Sequence, residues 1–232
     1  MAQAEHIPVH VGALPWAVKA VVEFFGDDVH PGDVFLANDP YHGGSHLPDL
    51  TAFVPVFAQG KLVFWTVNRA HHSDIGGATY CAYNAAATEI WQEGLRVPPL
   101  RLYAGGELRQ DLMQMLSVNV RHPRDFQGDL AAQIGSVRLG ERRLETLMDE
   151  FGPDLVASAV DVILDAAEQQ ARAVLSDRRY QDAVDADWEK SHKLGVTGVP
   201  TFVANGQCLV GAQPYENLQQ LMAAAGAERR GG

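Results

Sequence analysis

Two short segments hold most of the residues in this chain that could do chemistry. One reads Asn38-Asp39-Pro40-Tyr41-His42-Gly43-Gly44-Ser45-His46-Leu47-Pro48-Asp49. The other reads Asn68-Arg69-Ala70-His71-His72-Ser73-Asp74-Ile75-Gly76-Gly77. They bracket two apolar runs, 51–57 and 61–68, joined by Gln59-Gly60, a pattern that predicts a β-hairpin. A hairpin brings its two ends together, so His46, Asp49 and His71 should converge at one rim of a sheet. Two imidazoles and one carboxylate suit zinc, manganese or ferrous iron, and leave positions open for water or substrate. Asp39 or Asp74 could orient a ligand imidazole from behind. Successive residues of a strand point to opposite faces, so His72 reads as a bystander beside His71. The alternative is that Asp-Pro and Gly-Gly mark ordinary turns, in which histidines ligate nothing.

The elements that must hold these segments are short and mixed. Residues 6–10 alternate apolar and polar, as in a strand. Leu14-Pro15 opens a helix striped with Val18, Val21, Val22 and Phe25, and Gly26 stops it. Pro31-Gly32-Asp33 is a turn signal ahead of a strand at 34–37. Residues 78–124 read as short mixed elements, with Pro98-Pro99 forcing an extended segment. From about residue 125 the pattern is helical. Leu130, Ile134, Val137, Leu144 and Leu147 share a stripe, Gly152-Pro153 breaks it, and Asp154 caps a last helix with Val156, Val160, Ile163 and Ala167. Beyond it come a polar helix at 180–194, a strand at 199–203, an Asn205-Gly206 turn, a strand at 208–211 and a closing helix at 215–225. That closing helix turns Leu218, Leu221 and Met222 inward.

Composition excludes some classes. The net charge is −11, with 12 basic against 22 acidic residues in 1–176 and 6 against 7 in 177–232. Nucleic acid is not an expected partner, because phosphate-backbone binding needs clustered cations. No apolar run approaches the ~20 residues of a membrane span, so no membrane association is expected. Cys81 and Cys208 stand in no metal or redox spacing, and Cys81 reads as a small buried residue rather than a nucleophile. Two isolated cysteines suit a reducing cytoplasm, with no structural disulfide.

A family resemblance rests on Ala4-Glu5-His6-Ile7-Pro8, Pro31-Gly32-Asp33, Asn38-Asp39-Pro40-Tyr41, His46-Leu47-Pro48-Asp49 and Arg69-Ala70-His71-His72. Gln92-Glu93-Gly94-Leu95, Pro98-Pro99 and Arg138-Leu139-Gly140 add to it. In these motifs residues 2–176 resemble the hydantoinase B/oxoprolinase family. The resemblance implies ATP-dependent opening of cyclic amides such as 5-oxoproline and hydantoins, related members carboxylating ketones. It implies ATP handled by a hydantoinase A-like partner subunit, and a divalent metal on His46, Asp49 and His71. On that basis His72 or His42 is a candidate general base, an unperturbed imidazole titrating near pH ~6.5. Glu93 and Arg96 are candidates for positioning substrate, or else a solvated surface pair. Family members are much longer, so the chain is expected to carry a truncated domain. After Gly77 the family's Pro-Gly-Ser turn is replaced by Ala78-Thr79-Tyr80, which bears on the substrate-side loop.

Residues 177–232 resemble something else. Gly198-Val199-Pro200-Thr201-Phe202 is similar to the cis-proline strand of DsbA-type thioredoxin-fold proteins, with Val199-Pro200 as the cis-Pro loop. The redox Cys-x-x-Cys of that family is missing, so the resemblance implies ancestry without activity. The expected fold class is therefore mixed α/β (α+β): a truncated hydantoinase B-like domain over 1–176, then a partial thioredoxin-like β-β-α unit over 177–232. The junction near Ser176-Asp177 has no linker composition, as in a joined fragment. Three functions follow in order: a cyclic-amide hydrolase subunit impaired by truncation; a non-catalytic metal-binding or subunit-interaction fragment; and a thioredoxin-fold oxidoreductase lacking its cysteine pair.

Overall fold

The computed structural model describes residues 8–80, 84, 86–197, 201–210 and 215–226. The fold is mixed α/β, and the chain forms two compact units, Met1–Val160 and Asp161–Gly232. In the first unit a long helix α1 (Pro8–Phe25) precedes a five-stranded antiparallel sheet. Its strands are β1 (Val34–Ala37), β2 (Asp49–Ala58), β3 (Lys61–His71), β4 (Leu100–Ala104) and β5 (Glu107–Leu108), in the spatial order β3-β2-β1-β4-β5. Two helices follow, α2 (Gln110–Val118) and α3 (Pro123–Phe151).

The hairpin forms where the sequence placed it, and the turn chemistry accounts for it. Gln59 and Gly60 both take positive φ, 51° and 76°, as a two-residue primed turn requires. The strands run further than the expected 51–57 and 61–68. They extend until Asp49 pairs with His71 and Leu50 with Ala70. Asp49 and His71 therefore stand at paired strand ends, while His46 lies in the loop just before β2.

Residues 49–56 are buried throughout, because both faces of the sheet are covered. On one face α1 packs Ala17 and Val21 against Phe35, Ala37 and Phe53. On the other, α3 packs Phe126, Leu130, Ile134 and Val137 against Leu36, Leu50, Ala52 and Val54. Each fully buried Phe or Leu there stabilises by about 1.5–3 kcal/mol. Polar links lock α3 to the hairpin: Gln133 Nε2 donates to Leu50 O at 2.8 Å, and Thr66 Oγ1 donates to Val137 O at 3.0 Å.

The N-terminal reading needs correction. His10 is helical, as are Pro8 and Val9, and the rest of the expected strand lies outside the described residues. Pro15 lies inside the helix instead of opening it. Alternation over five residues was too short to tell a strand from a helical turn.

In the second unit, α4 (Pro153–Asp177) runs on from the first and buries none of its residues, so the predicted stripe of Val156, Val160, Ile163 and Ala167 is not a core face. Then follow α5 (Gln181–Lys193), a two-stranded sheet of β6 (Thr201–Ala204) and β7 (Gln207–Val210), and α6 (Tyr215–Ala224). Asn205 and Gly206, at φ 47° and 77°, make the predicted turn. Leu221 is buried as expected, but Met222 is exposed. On α3, likewise, Met148 takes the buried place and Leu147 is exposed. Val199, Pro200 and Cys81 lie outside the described residues.

Candidate metal centre at the end of the hairpin

Period-two alternation decides which side chains meet. Asp49, Thr51 and Phe53 face α1, and their cross-strand partners His71, Arg69 and Val67 share that face. Asp49 Oδ1 and His71 Nδ1 are 2.9 Å apart, a hydrogen-bond distance. Asp49 Oδ2 accepts from Ser45 Oγ at 3.1 Å and lies 3.9 Å from His46 Nδ1. The His46 and His71 rings stack, with centroids 5.4 Å apart and planes at 16°. One donor atom from each of His46, Asp49 and His71 lies within 4.8 Å of the others. The three expected residues have come together. His46 and His71 are open to solvent while Asp49 is buried, so the cluster is a rim with a protected carboxylate.

Asp49 has two opposed influences. Burial works against its charge, but the His71 hydrogen bond and the positive potentials of His10, His46 and His71 outweigh it. The carboxyl is held below the usual carboxylate range. It is thus an anionic oxygen donor at neutral pH, as divalent cations require.

The segment carrying His46 is built by Asn38, which sequence reasoning did not single out. Its buried amide donates to Leu47 O at 2.6 Å and Leu95 O at 2.9 Å, and its Oδ1 accepts from Val97 N at 2.6 Å. Two glycines let the segment fold tightly. A Cβ on Gly44 would lie 2.1 Å from Asn38 O, and one on Gly43 would lie 2.5 Å from Ala17 Cα. Arg69 closes the arrangement, donating to Thr51 Oγ1, Ser45 Oγ and Gly43 O at 2.8, 3.2 and 3.0 Å.

Other expected residues are placed elsewhere. His72 is buried on the opposite face, its Nε2 3.0 Å from Gln133 Oε1 and its ring against Phe126. It cannot reach a group held on the α1 face, which corrects its reading as a base. Asp74 is corrected too. It accepts from the backbone N–H of Gly76, Arg121 and His122, and so anchors the α2–α3 connection rather than a ligand imidazole. Asp39 caps the short 3-10 turn Pro40–His42 and lies 3.1 Å from His42 Nδ1 and 3.5 Å from Arg96 Nε. It orients His42, not His46 or His71. Glu93 lines a groove of about 320 Å³ with Pro40, Ser45, His46 and Glu89. Arg96 lines a different one, of about 420 Å³, with Trp91 and Gly76. The two were expected as candidates for positioning substrate, or else a solvated pair, and they line separate grooves.

His10 was missed. From α1 it places Nδ1 3.7 Å from Asp49 Oδ2. The available signal was helical: His10, Ala17 and Val21 stand at i, i+7 and i+11, one stripe of α1.

The chain belongs to the hydantoinase B/oxoprolinase family, whose sequence profile matches residues 1–200. It is 45% identical over 175 residues to caprolactamase subunit beta of Pseudomonas jessenii, covering 75% of this chain and 30% of that protein. It is 36% identical over 177 residues to the 5-oxoprolinase of Dictyostelium discoideum, covering 76% of this chain and 14% of the other. The crystal structure of the ATP-dependent caprolactamase from P. jessenii superposes with a TM-score of 0.69 at 45% identity, over 73% of this chain and 29% of that one. A nucleotide-free acetone carboxylase structure, at 24% identity and TM-score 0.60, shares the fold. The chain thus spans about a third or less of these relatives' lengths.

Proposed function

We propose that this chain is a hydantoinase B-type component of an ATP-dependent hydrolase of small cyclic amides, and that His46, Asp49 and His71 bind a divalent zinc, manganese or iron ion. The observation carrying the proposal is the convergence of three donor atoms within 4.8 Å, two from paired strand ends and one from the loop before β2. The residues fit a metal: an anionic carboxylate and two imidazoles whose ligand atoms lie within reach of one another. When bound, the ion would polarise an amide carbonyl or an acyl phosphate, or acidify a water. The relatives named for caprolactam and 5-oxoproline support cyclic amides as substrates, and the ATP-dependent caprolactamase supports ATP use through a partner subunit, hydantoinase A-like in kind.

The chain's own groups divide the work. Asp49 holds negative charge at the rim, and Ser45 and Arg69 hold the His46 segment against it. Asp39 fixes His42 through Nδ1, which leaves Nε2 as the proton acceptor, so His42 is the base to test. Glu93 faces the groove beside His46 and is proposed to position substrate there. Arg96, stacked near Tyr41 and paired with Asp39, is proposed to shape the other side of that segment.

For residues 177–232 we propose descent from the C-terminal β-β-α portion of a DsbA-like domain, with a boundary at 176–177. The β6–β7 hairpin followed by α6 supports it. No redox activity is proposed, since Cys208 Sγ donates to Leu194 O and no Cys-x-x-Cys is present.

The test is ring opening of caprolactam, hydantoin and 5-oxoproline with ATP, by the chain alone and with an ATP-binding partner subunit. Turnover is expected only with the partner, and should be lost in Asp49→Ala. Turnover by the chain alone would overturn the partner requirement. None in either case, with metal bound, would favour the non-catalytic metal-binding fragment.

A further inference from the structure

The second unit carries a stretch of surface almost without charge. From Leu194 to Gly226 the sequence holds one charged residue, Glu216, although 20% of the whole chain is charged. Within that stretch Leu194, Phe202, Val203, Val210, Tyr215 and Met222 are all exposed. A solvated surface is normally laced with charge, and an exposed apolar one without it marks a contact with another molecule.

At its centre is the β6–β7 hairpin. Two strands alone are marginal in water, and three or more make a stable sheet. Among the described residues β6 has one strand neighbour, β7, and pairs with it without a bulge. Edge strands that stay single are usually guarded by a lysine, a proline or a bulge. Thr201-Phe202-Val203-Ala204 has none of these. Phe202 and Val203, each 37% exposed, point to opposite faces of the sheet.

Charge and symmetry name the occupant. Residues 1–176, with 12 basic and 22 acidic residues, carry a net −10, whereas 177–232, with 6 and 7, carry −1. Two copies therefore repel through their first parts and can approach through their tails. A second β6 laid antiparallel about a two-fold axis at Phe202 sets the two Phe202 rings side by side on one face. It sets both Val203 side chains on the other face, so that like meets like and no charge has to be matched. We infer that the β6 edge is a contact between two copies of this chain, which closes a four-stranded antiparallel sheet in the order β7-β6-β6-β7. The inference is independent of the metal reading above.

Light scattering of the full chain during size exclusion tests this, with a thiol reductant present because Cys208 is an exposed free cysteine. The unaltered chain should give the mass of two chains. Phe202→Lys and Phe202→Glu each set like charges side by side across the two-fold, so each variant alone should give the mass of one chain. Mixed in equal amounts, the two should recover a dimer holding one of each, because the charges then oppose. Mixing could not repair a hairpin that had simply unfolded, so recovery reports pairing. In the unaltered chain, hydrogen exchange of the β6 amides should slow as concentration rises, while exchange in β1 stays the same. That measurement decides the matter if both variants lose the hairpin. A single-chain mass for the unaltered protein at every concentration would leave the surface to a different partner and overturn the inference. So would a dimer that survives both substitutions, folded variants that do not recover on mixing, or β6 exchange that ignores concentration.

Discussion

Single carboxylates in this protein do quite different jobs, and their surroundings say which. Asp49 is charged at a half-open rim, while Asp74 is spent inside the fold. Burial disfavours the Asp74 charge, but three backbone N–H groups and the Arg121 guanidinium outweigh it and hold the carboxyl below the ordinary range. Asp74→Asn keeps the shape and removes the charge, leaving donors facing an amide. We expect a loss of about 2–4 kcal/mol at neutral pH by denaturant unfolding; a change under about 0.5 kcal/mol would contradict the role. The sign with pH follows from linkage. A carboxyl whose pKa is lowered on folding adds stability that is complete above its unfolded value of about 3.9, and that is lost as pH falls through the lower folded value. The unaltered chain should therefore lose its advantage over Asp74→Asn only below about pH 4.

At the scale of elements, the rim depends on register and on one helix lying close. Slipping β2 against β3 by one residue would send Asp49 and His71 to opposite faces. Gly43 guards the other condition: its φ is +80°, and an added Cβ would meet Ala17 backbone. Gly43→Ala should cost about 1–3 kcal/mol, lift α1 from the segment before His46 and weaken metal binding in parallel. Full stability with unchanged binding would show that the close approach is dispensable. Much of this level was legible in the sequence. Gln59-Gly60 and Asn205-Gly206 predicted their turns, and the His71-His72 pair predicted that one ring would face away. What was hidden depends on long-range partners. Asn38 matters because Leu47, Leu95 and Val97 surround it, and Asp74 because it meets Arg121 and His122 from far along the chain. His10 was hidden by a strand-like alternation that is in fact part of α1.

At the scale of the molecule, family membership covers residues 1–200, yet the compact unit bearing the rim ends at Val160. Every residue of the candidate site lies in that unit. The helix α4 buries none of its residues, and Val162, Ile163, Leu164 and Leu175 are exposed. In the smaller unit, Phe202 and Val203 are each 37% exposed. Among the described residues no helix is long and apolar enough to cross a membrane. The proposal accordingly places the chemistry in the hairpin rim and asks ATP of another subunit. Metal content is the direct test of that account. The purified full chain, equilibrated with zinc, manganese or ferrous iron and then freed of unbound ion, should retain one divalent ion per chain by elemental analysis. The double variant His46→Ala with Asp49→Ala should retain none while keeping its secondary structure. An unaltered chain that holds no ion, or a double variant that still holds one, would contradict the account.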